Sequence, residues 1–527
     1  MGYIEKSFNL PTDYCDEDIR KIIQRETGFG TFSFRIDHKS LDARKKSDIH
    51  WVIRVVISSP EIKSEIASKQ TDLAIPLKIP ILRKPAKAIV VGSGPAGFFA
   101  AYILQKGGCE TIIIERGSEV DERACAVKKF EQSGIFNPST NYAFGEGGAG
   151  TFSDGKLTSR SKHISAEKQF ILSSYVEAGA PEEIMYMAHP HLGSDNLKVI
   201  VKGLRKKFLE SGGKILFDTC LENIETAPVK NINGCENKVS VKGAFTSSGD
   251  YEADHLIMAT GHSAFETFRM LMNKGVLFRT KNFAIGCRVE HPQRFINRAQ
   301  WGKEVLAGVK AAEYRLTSRG DGRLPVYTFC MCPGGVVVPS TAYSNSNIVN
   351  GMSRYLRNGE FANAACVAGF SLDNLLKKEV EPLEALDWLE NLENSFYTFS
   401  GGYKAPCCTI REFISSKAGK GIKTLSSSYS PGLKPAPLWE MLPSDISYAI
   451  QMGLGDFNRK IKGFDTGIIM GLESKTSSPI QVVREKGGCC TGFENLYMAG
   501  EGSGHSGGIV SSGADGIRVA LSILTSS

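Results

Sequence analysis

The chain has 527 residues, 42% hydrophobic and 23% charged, and carries a net charge of +7. At ~150 residues per domain that is room for roughly three or four domains, with a globular rather than disordered composition and a charge balance far from a nucleic-acid footprint. No apolar run reaches the ~18 residues of a membrane span, and the acidic start MGYIEKSFNLPTDYCDED reads neither as a signal nor as a transit peptide, so a cytoplasmic protein is expected.

Residues 1–80 read as a small α+β domain. A strand is expected over 3–9, an amphipathic helix from the acidic cap Asp16-Glu17-Asp18 to about Thr27, and strands over Phe32–Ile36 and His50–Ser58. DHKSLDARKKSD between those strands reads as a basic loop, and KIPILRKPA (78–86) as a linker. From Lys87 the texture changes: KAIVVGSGPAGFFAAYILQKGGCETIIIERG is a buried strand, a glycine turn, an apolar helix and a second buried strand. Mixed helical sequence follows to about 213. Three strand-like runs over 214–261 read as a meander ending in Ala259-Thr260-Gly261. Residues 275–480 are β-rich with a helix near 372–396, and 494–525 repeat the order strand, glycine turn, helix.

The domains expected are 1–80, a dinucleotide-binding domain split between 81–274 and 485–527, and a substrate or cap domain over 275–484. The fold class is α/β.

Gly92-Ser93-Gly94-Pro95-Ala96-Gly97 is a GxGxxG turn between a buried strand and an apolar helix, with Glu115 at the end of the next strand. Gly92 permits the tight turn, Gly94 admits a pyrophosphate, Gly97 lets helix and strand approach, and the helix start meets phosphate charge. Glu115 is placed to accept from a ribose hydroxyl, which disfavours a 2′-phosphate and leaves FAD or NAD. The return of the chain in Gly500-Glu501-Gly502, followed by a helix near Gly507 to Leu521, favours FAD. A helix start there would stabilise an anionic reduced flavin, and Glu501 is placed to accept from a ribityl hydroxyl.

These two ends resemble the FAD domain of the glutathione-reductase-type flavoprotein superfamily, a Rossmann-like domain split in sequence. More narrowly, GGAGTFSDGKLTSR (147–160), PHLGSD (190–195), ATGHSA (259–264), FAIGCRVEHPQ (283–293), FCMCPGG (329–335), VNGMS (349–353), GFDTGIIMGLESKTSSP (463–479) and GEGSGHSGGI (500–509) resemble FAD-dependent dehydrogenases of bacteria and plastids. The resemblance implies bound FAD, an oxidoreductase of unassigned substrate, and FAD contacts at Gly92, Gly94, Gly97, Glu115, Arg116, Gly148, Thr260, Gly261 and Glu501. Gly502, Gly508 and Ile509 in the C-terminal turn and the backbone of Leu221 complete that set.

For chemistry, His505 between the flavin-facing glycines is a candidate acid or base, with His262, His191 and Lys156 behind it. Among 13 cysteines, Cys332 stands out because the glycines of CPGG suggest a close backbone approach to ligand. No redox CxxC follows the first glycine turn, and no cysteine or histidine group has metal-ligand spacing. The expected partners are a small-molecule substrate or an electron donor or acceptor, NAD(P)H among them. A tRNA-modifying flavoprotein and a non-catalytic flavin-bound protein are the alternative readings.

Overall fold

A computed structural model describes residues 2–62, 76–229, 238–419 and 426–526. The N-terminal domain is a three-stranded antiparallel sheet in the order Gly2–Leu10, His50–Ser59, Ser33–Asp42. The helix Asp16–Thr27 lays Ile19 and Ile23 against it. Asp18 accepts from the backbone N–H of Cys15 at 2.9 Å, and Gly28 ends the helix at φ 73°. The stretch read as a basic loop is strand as far as Asp42, because Arg54 and Trp51 across the ladder carry its pairing to the end. The domain does not hang free: Lys39 and Ala188 exchange backbone bonds with Tyr186 and Lys39 at 2.8 and 2.9 Å.

At the centre lies a five-stranded parallel sheet. In spatial order its strands are Leu496–Met498, His255–Met258, Lys87–Val91, Glu110–Ile114 and Lys214–Leu216. Its strands are apolar on both faces because both faces are covered. Ala88 and Val90 point into a core with Phe99 and Ile517, from the helices Pro95–Lys106 and Ile509–Ser526. Ile89 and Val91 point the other way, toward Ile224 and Val241 of an antiparallel meander.

That meander differs from the one expected. Lys214–Leu216 and His255–Met258 join the parallel sheet, and the meander is Leu221–Pro228, Val239–Thr246 and Gly249–Glu252. The run YEADHLIM holds two strands separated at Asp254, whose carboxylate accepts from Lys87 N at 2.8 Å and turns the chain into the second sheet.

An eight-stranded sheet occupies the remainder. Its path runs Thr317–Ser318, Val326–Pro339, Phe361–Phe370, Phe283–Pro292, Ile468–Glu473, Ala405–Thr409 and Leu433–Pro435, with Val349–Ser353 paired to the side of Val326–Pro339. The helix expected near 372–396 is two, Leu372–Leu376 and Pro382–Ser400. Lys377 turns left-handed at φ 56°, and Pro382 starts the second helix where its missing N–H costs nothing. Among the described residues no helix is long and apolar enough to cross a membrane.

Candidate functional site

Two glycine turns meet at the carboxyl end of the parallel sheet. In the first, Gly92 has φ 105°, and a Cβ there would stand 2.4 Å from the carbonyl of Ala259. A Cβ on Gly97 would stand 1.9 Å from the carbonyl of Gly92, so helix and turn touch backbone to backbone. Gly94 caps the helix at φ −66°, and a Cβ there would meet only the Cα of Gly148 at 3.7 Å. In the second turn, Gly502 packs on Gly261, where a Cβ would lie 2.6 Å from the Gly261 carbonyl. Cβ atoms built on Gly261 and Gly508 meet nothing within 4 Å, so both face open space.

The polar atoms along this seam are short of partners. Thr260 Oγ1, His262 Nε2 and Ser506 Oγ are buried with no hydrogen-bond partner. His262 Nδ1 lies 3.6 Å from Glu501, which itself is partly exposed. The helix Pro95–Lys106 opens with N–H groups that have no intrahelical acceptor, and Ile509–Ser526 opens beside Gly508. A seam of small residues, two helix starts and unpartnered hydroxyls suits a long, polar, anionic ligand such as a dinucleotide. The cavity behind the first turn, lined by Ser93, Phe98 and Arg205 among others, holds only about 30 Å³ and is water-sized.

Glu115 is buried and its carboxylate is taken up by the chain. Ser93 N and Oγ donate to one oxygen at 2.9 and 2.7 Å, and Gly117 N and Gly145 N donate to the other at 3.0 Å each. The ribose contact expected of it therefore competes with four bonds that fix the glycine turn to two neighbouring loops. Arg116 lies 4.3 Å over the ring of Phe144 and pairs with Glu266 and with Cys220, beside the start of the strand at Leu221. The Leu221 side chain itself is buried in the core.

Arg123 is a residue the sequence did not single out. Fully buried, it donates to the carbonyls of Asn141, Tyr142, Gly145, Glu146 and Gly148, fixing the loop that presses Gly148 on Gly94. Burial pushes its guanidinium down to about 10. Its position in an amphipathic helix gave no local signal.

The loop beyond Gly148 carries a charge cluster to the eight-stranded sheet. Ser159 bonds Ser511 in the C-terminal helix at 2.7 Å, and Asp154 meets Lys156 at 2.9 Å and Arg357 at 2.6 Å. Arg357 and Lys156 hold Asp154 well below the usual carboxylate range despite its burial. Lys156 donates to the carbonyl of Met331, between Cys330 and Cys332. Arg288, fully buried, donates to Asn363 and Glu473 at 2.7 and 2.6 Å and to the Cys330 carbonyl at 2.7 Å. The glycines of CPGG serve the chain, which corrects their reading as a ligand approach: a Cβ on Gly334 would stand 1.9 Å from the Arg357 carbonyl, and on Gly335 2.5 Å from that of Met352.

His505 also departs from expectation. Its Nε2 donates to the Val482 carbonyl at 3.0 Å, and Nδ1 then accepts from Gln481 at 3.3 Å. Both ring nitrogens are taken up by Val482 and Gln481, and burial moves the ring's pKa down. His505 anchors its turn.

The chain is similar to several known proteins. The family description "FAD binding domain" matches residues 85–137, and "FAD-dependent protein, C-terminal domain-like" matches 282–476. An uncharacterized protein of Clostridium beijerinckii is 36% identical over 99% of this chain and 96% of its own. Among solved structures, CtdE in complex with FAD is 11% identical with a TM-score of 0.32, covering 84% of each chain. A geranylgeranyl bacteriochlorophyll reductase-like protein of Thermoplasma acidophilum is 13% identical with a TM-score of 0.35, covering 84% of this chain and 79% of that one.

Proposed function

The chain belongs to the FAD-dependent oxidoreductase family and takes FAD as its cofactor, and on that premise we propose that it is a dehydrogenase or reductase of the glutathione-reductase-type superfamily acting on a small molecule. The observation that carries this reading is the seam where Gly92 meets Ala259 and Gly502 meets Gly261, with Thr260 and Ser506 left unpartnered. FAD supplies reversible hydride transfer when bound. The chain's part is to bind and orient it. Gly94 and the N–H groups opening Pro95–Lys106 would take the pyrophosphate, Thr260, Gly261 and Glu501 the polar middle, and Gly508 with Ile509 the far end. Arg116 and Leu221 would flank the adenosine end. The eight-stranded domain would meet the substrate, and NAD(P)H would visit as a transient electron donor.

Purified protein should be yellow with tightly but non-covalently held FAD, and its flavin absorbance should bleach anaerobically with one of NADH, NADPH or a small organic reductant. A flavin that dithionite reduces but no small-molecule donor or acceptor turns over would favour the non-catalytic alternative. Steeply salt-dependent retention of tRNA would favour the RNA-modifying one.

A further inference from the structure

Cys330 and Cys332 lie in the long strand Val326–Pro339, which loses register with Phe361–Phe370 on both sides of Cys332. Residues two apart in a regular strand share a face but sit ~6.7 Å apart at Cα, near the limit for a disulfide. Here the strand is kinked. Cys330 has φ 43°, a left-handed conformation that a cysteine rarely adopts, and such outliers persist where surrounding structure enforces them. The enforcing groups are visible. Arg288 Nη2 holds the Cys330 carbonyl at 2.7 Å and reaches Cys332 Sγ at 3.6 Å, while Lys156 holds the Met331 carbonyl. Cys332 Sγ turns back on the Cys330 carbonyl at 3.3 Å. Cys332 is fully buried, and Cys330 is the less buried residue of the pair.

We propose that Cys330 and Cys332 form a thiol–disulfide exchange site, Cys330 attacking a disulfide-containing substrate and Cys332 resolving the product. The Cys330 thiolate attacks one sulfur of the substrate disulfide, forming a mixed disulfide and expelling a thiolate. Cys332 then attacks Cys330 Sγ. The second substrate sulfur leaves with the Cys332 proton, so the substrate gains two electrons and becomes one thiolate and one thiol, and the protein holds the Cys330–Cys332 disulfide. This exchange needs no cofactor and stands apart from the flavin reading.

The electrostatics agree. The Cys332 thiol, then Lys156 and Arg288, push Cys330 below the usual thiol range against burial and the charge of Asp154, while Cys332 is pushed up by Cys330 and by burial. Glu473, on the strand paired with that of Arg288, and Arg357 beyond Asp154 complete the charged surroundings.

The test uses the full chain with bound flavin and 5,5′-dithiobis(2-nitrobenzoate) as the disulfide. Both cysteines fall in one tryptic peptide, Leu324–Arg354. The parent should yield that peptide two hydrogens lighter and free of label. Cys332→Ser should instead retain the mixed disulfide on Cys330, and Cys330→Ser should leave the peptide unlabelled. The rate of iodoacetamide labelling at Cys330 should reach half its maximum at least one pH unit below the ~8.5 of an ordinary thiol. Labelled but unlinked parent peptide, or a labelling profile like that of an ordinary thiol, would overturn the proposal.

Discussion

Glu115 shows how one residue divides between fold and ligand. A carboxylate offers about four acceptor sites, and Ser93, Gly117 and Gly145 fill them with four donors from three loops. The motif marks Glu115 as a candidate ribose acceptor. The three loops it ties together were not legible, because Gly145 lies 30 positions away and its contact depends on the Arg123 carbonyl cage. Glu115→Ala should therefore destabilise the protein stripped of FAD by ~3 kcal/mol or more, the cost of leaving buried donors unmet. The check is denaturant unfolding of the flavin-free variant beside flavin-free parent. Equal stability with weakened FAD retention would return Glu115 to the simple role of ribose acceptor.

At the scale of the element, the turn between Lys87–Val91 and Pro95–Lys106 separates two kinds of glycine. Gly97 is needed by the fold, since its Cβ would collide with the Gly92 carbonyl at 1.9 Å, whereas a methyl on Gly94 would find ordinary contact at 3.7 Å. Gly97→Ala should lose roughly 1–3 kcal/mol of stability even without FAD, as overpacked sites do. Gly94→Ala should unfold like the parent but hold FAD roughly tenfold or more weakly, because on the proposed reading its methyl would stand where phosphate oxygens approach the helix start. Parallel thermal melts and FAD titrations of the two variants decide this, and identical behaviour of the pair would sink the distinction. The strand, turn and helix here were readable from local pattern alone: an apolar run, three glycines at fixed spacing, then an apolar helix. The meander was misread for an equally local reason. Leu221–Pro228 lacks both strict polar–apolar alternation and a β-branched run, its ladder shifting register twice, and nothing within YEADHLIM announces that Asp254 sends the chain to another sheet. In the second turn the glycines were legible, but the direction of the His505 ring was set by Val482 and Gln481, 23 and 24 residues distant.

For the whole molecule, a mixed α/β fold with a parallel sheet followed from buried strand runs alternating with helical ones, whereas the order of the eight-stranded sheet rests on long-range pairings that no window of sequence contains. The same long-range packing buries ionisable groups, and these set the response to acid. His291 lies between Phe295 and Phe464 with Nε2 donating to the Phe464 carbonyl at 2.7 Å and Nδ1 unpartnered, so a proton on Nδ1 would have no acceptor. Burial pushes His291 down to about 4, and burial followed by the nearby Arg357 does the same to His191. In the unfolded chain both return to ~6.5. Between those values the unfolded state binds protons that the folded state refuses, so the stability these rings contribute is full above ~6.5 and is lost as pH falls toward about 4. Glu473 works in the opposite sense: burial lifts it to about 7, and its contribution is lost as pH rises through that value. Burial also lowers His255 and His505 and raises Glu146 and Glu290, so four histidines stand against three carboxyls and unfolding takes up protons on balance, each ring kept neutral adding at most ~1.4 kcal/mol per pH unit. The unfolding midpoint in urea should accordingly fall as the pH is lowered from about 6.5 to 5. His291→Gln keeps a side-chain N–H for the Phe464 carbonyl but removes one titrating ring, so whatever it costs in absolute stability, its slope over that window should be shallower than the parent's by up to ~1.4 kcal/mol per pH unit. An unchanged slope in that variant would mean that His291 is protonated in the folded protein, and that the acid response arises elsewhere.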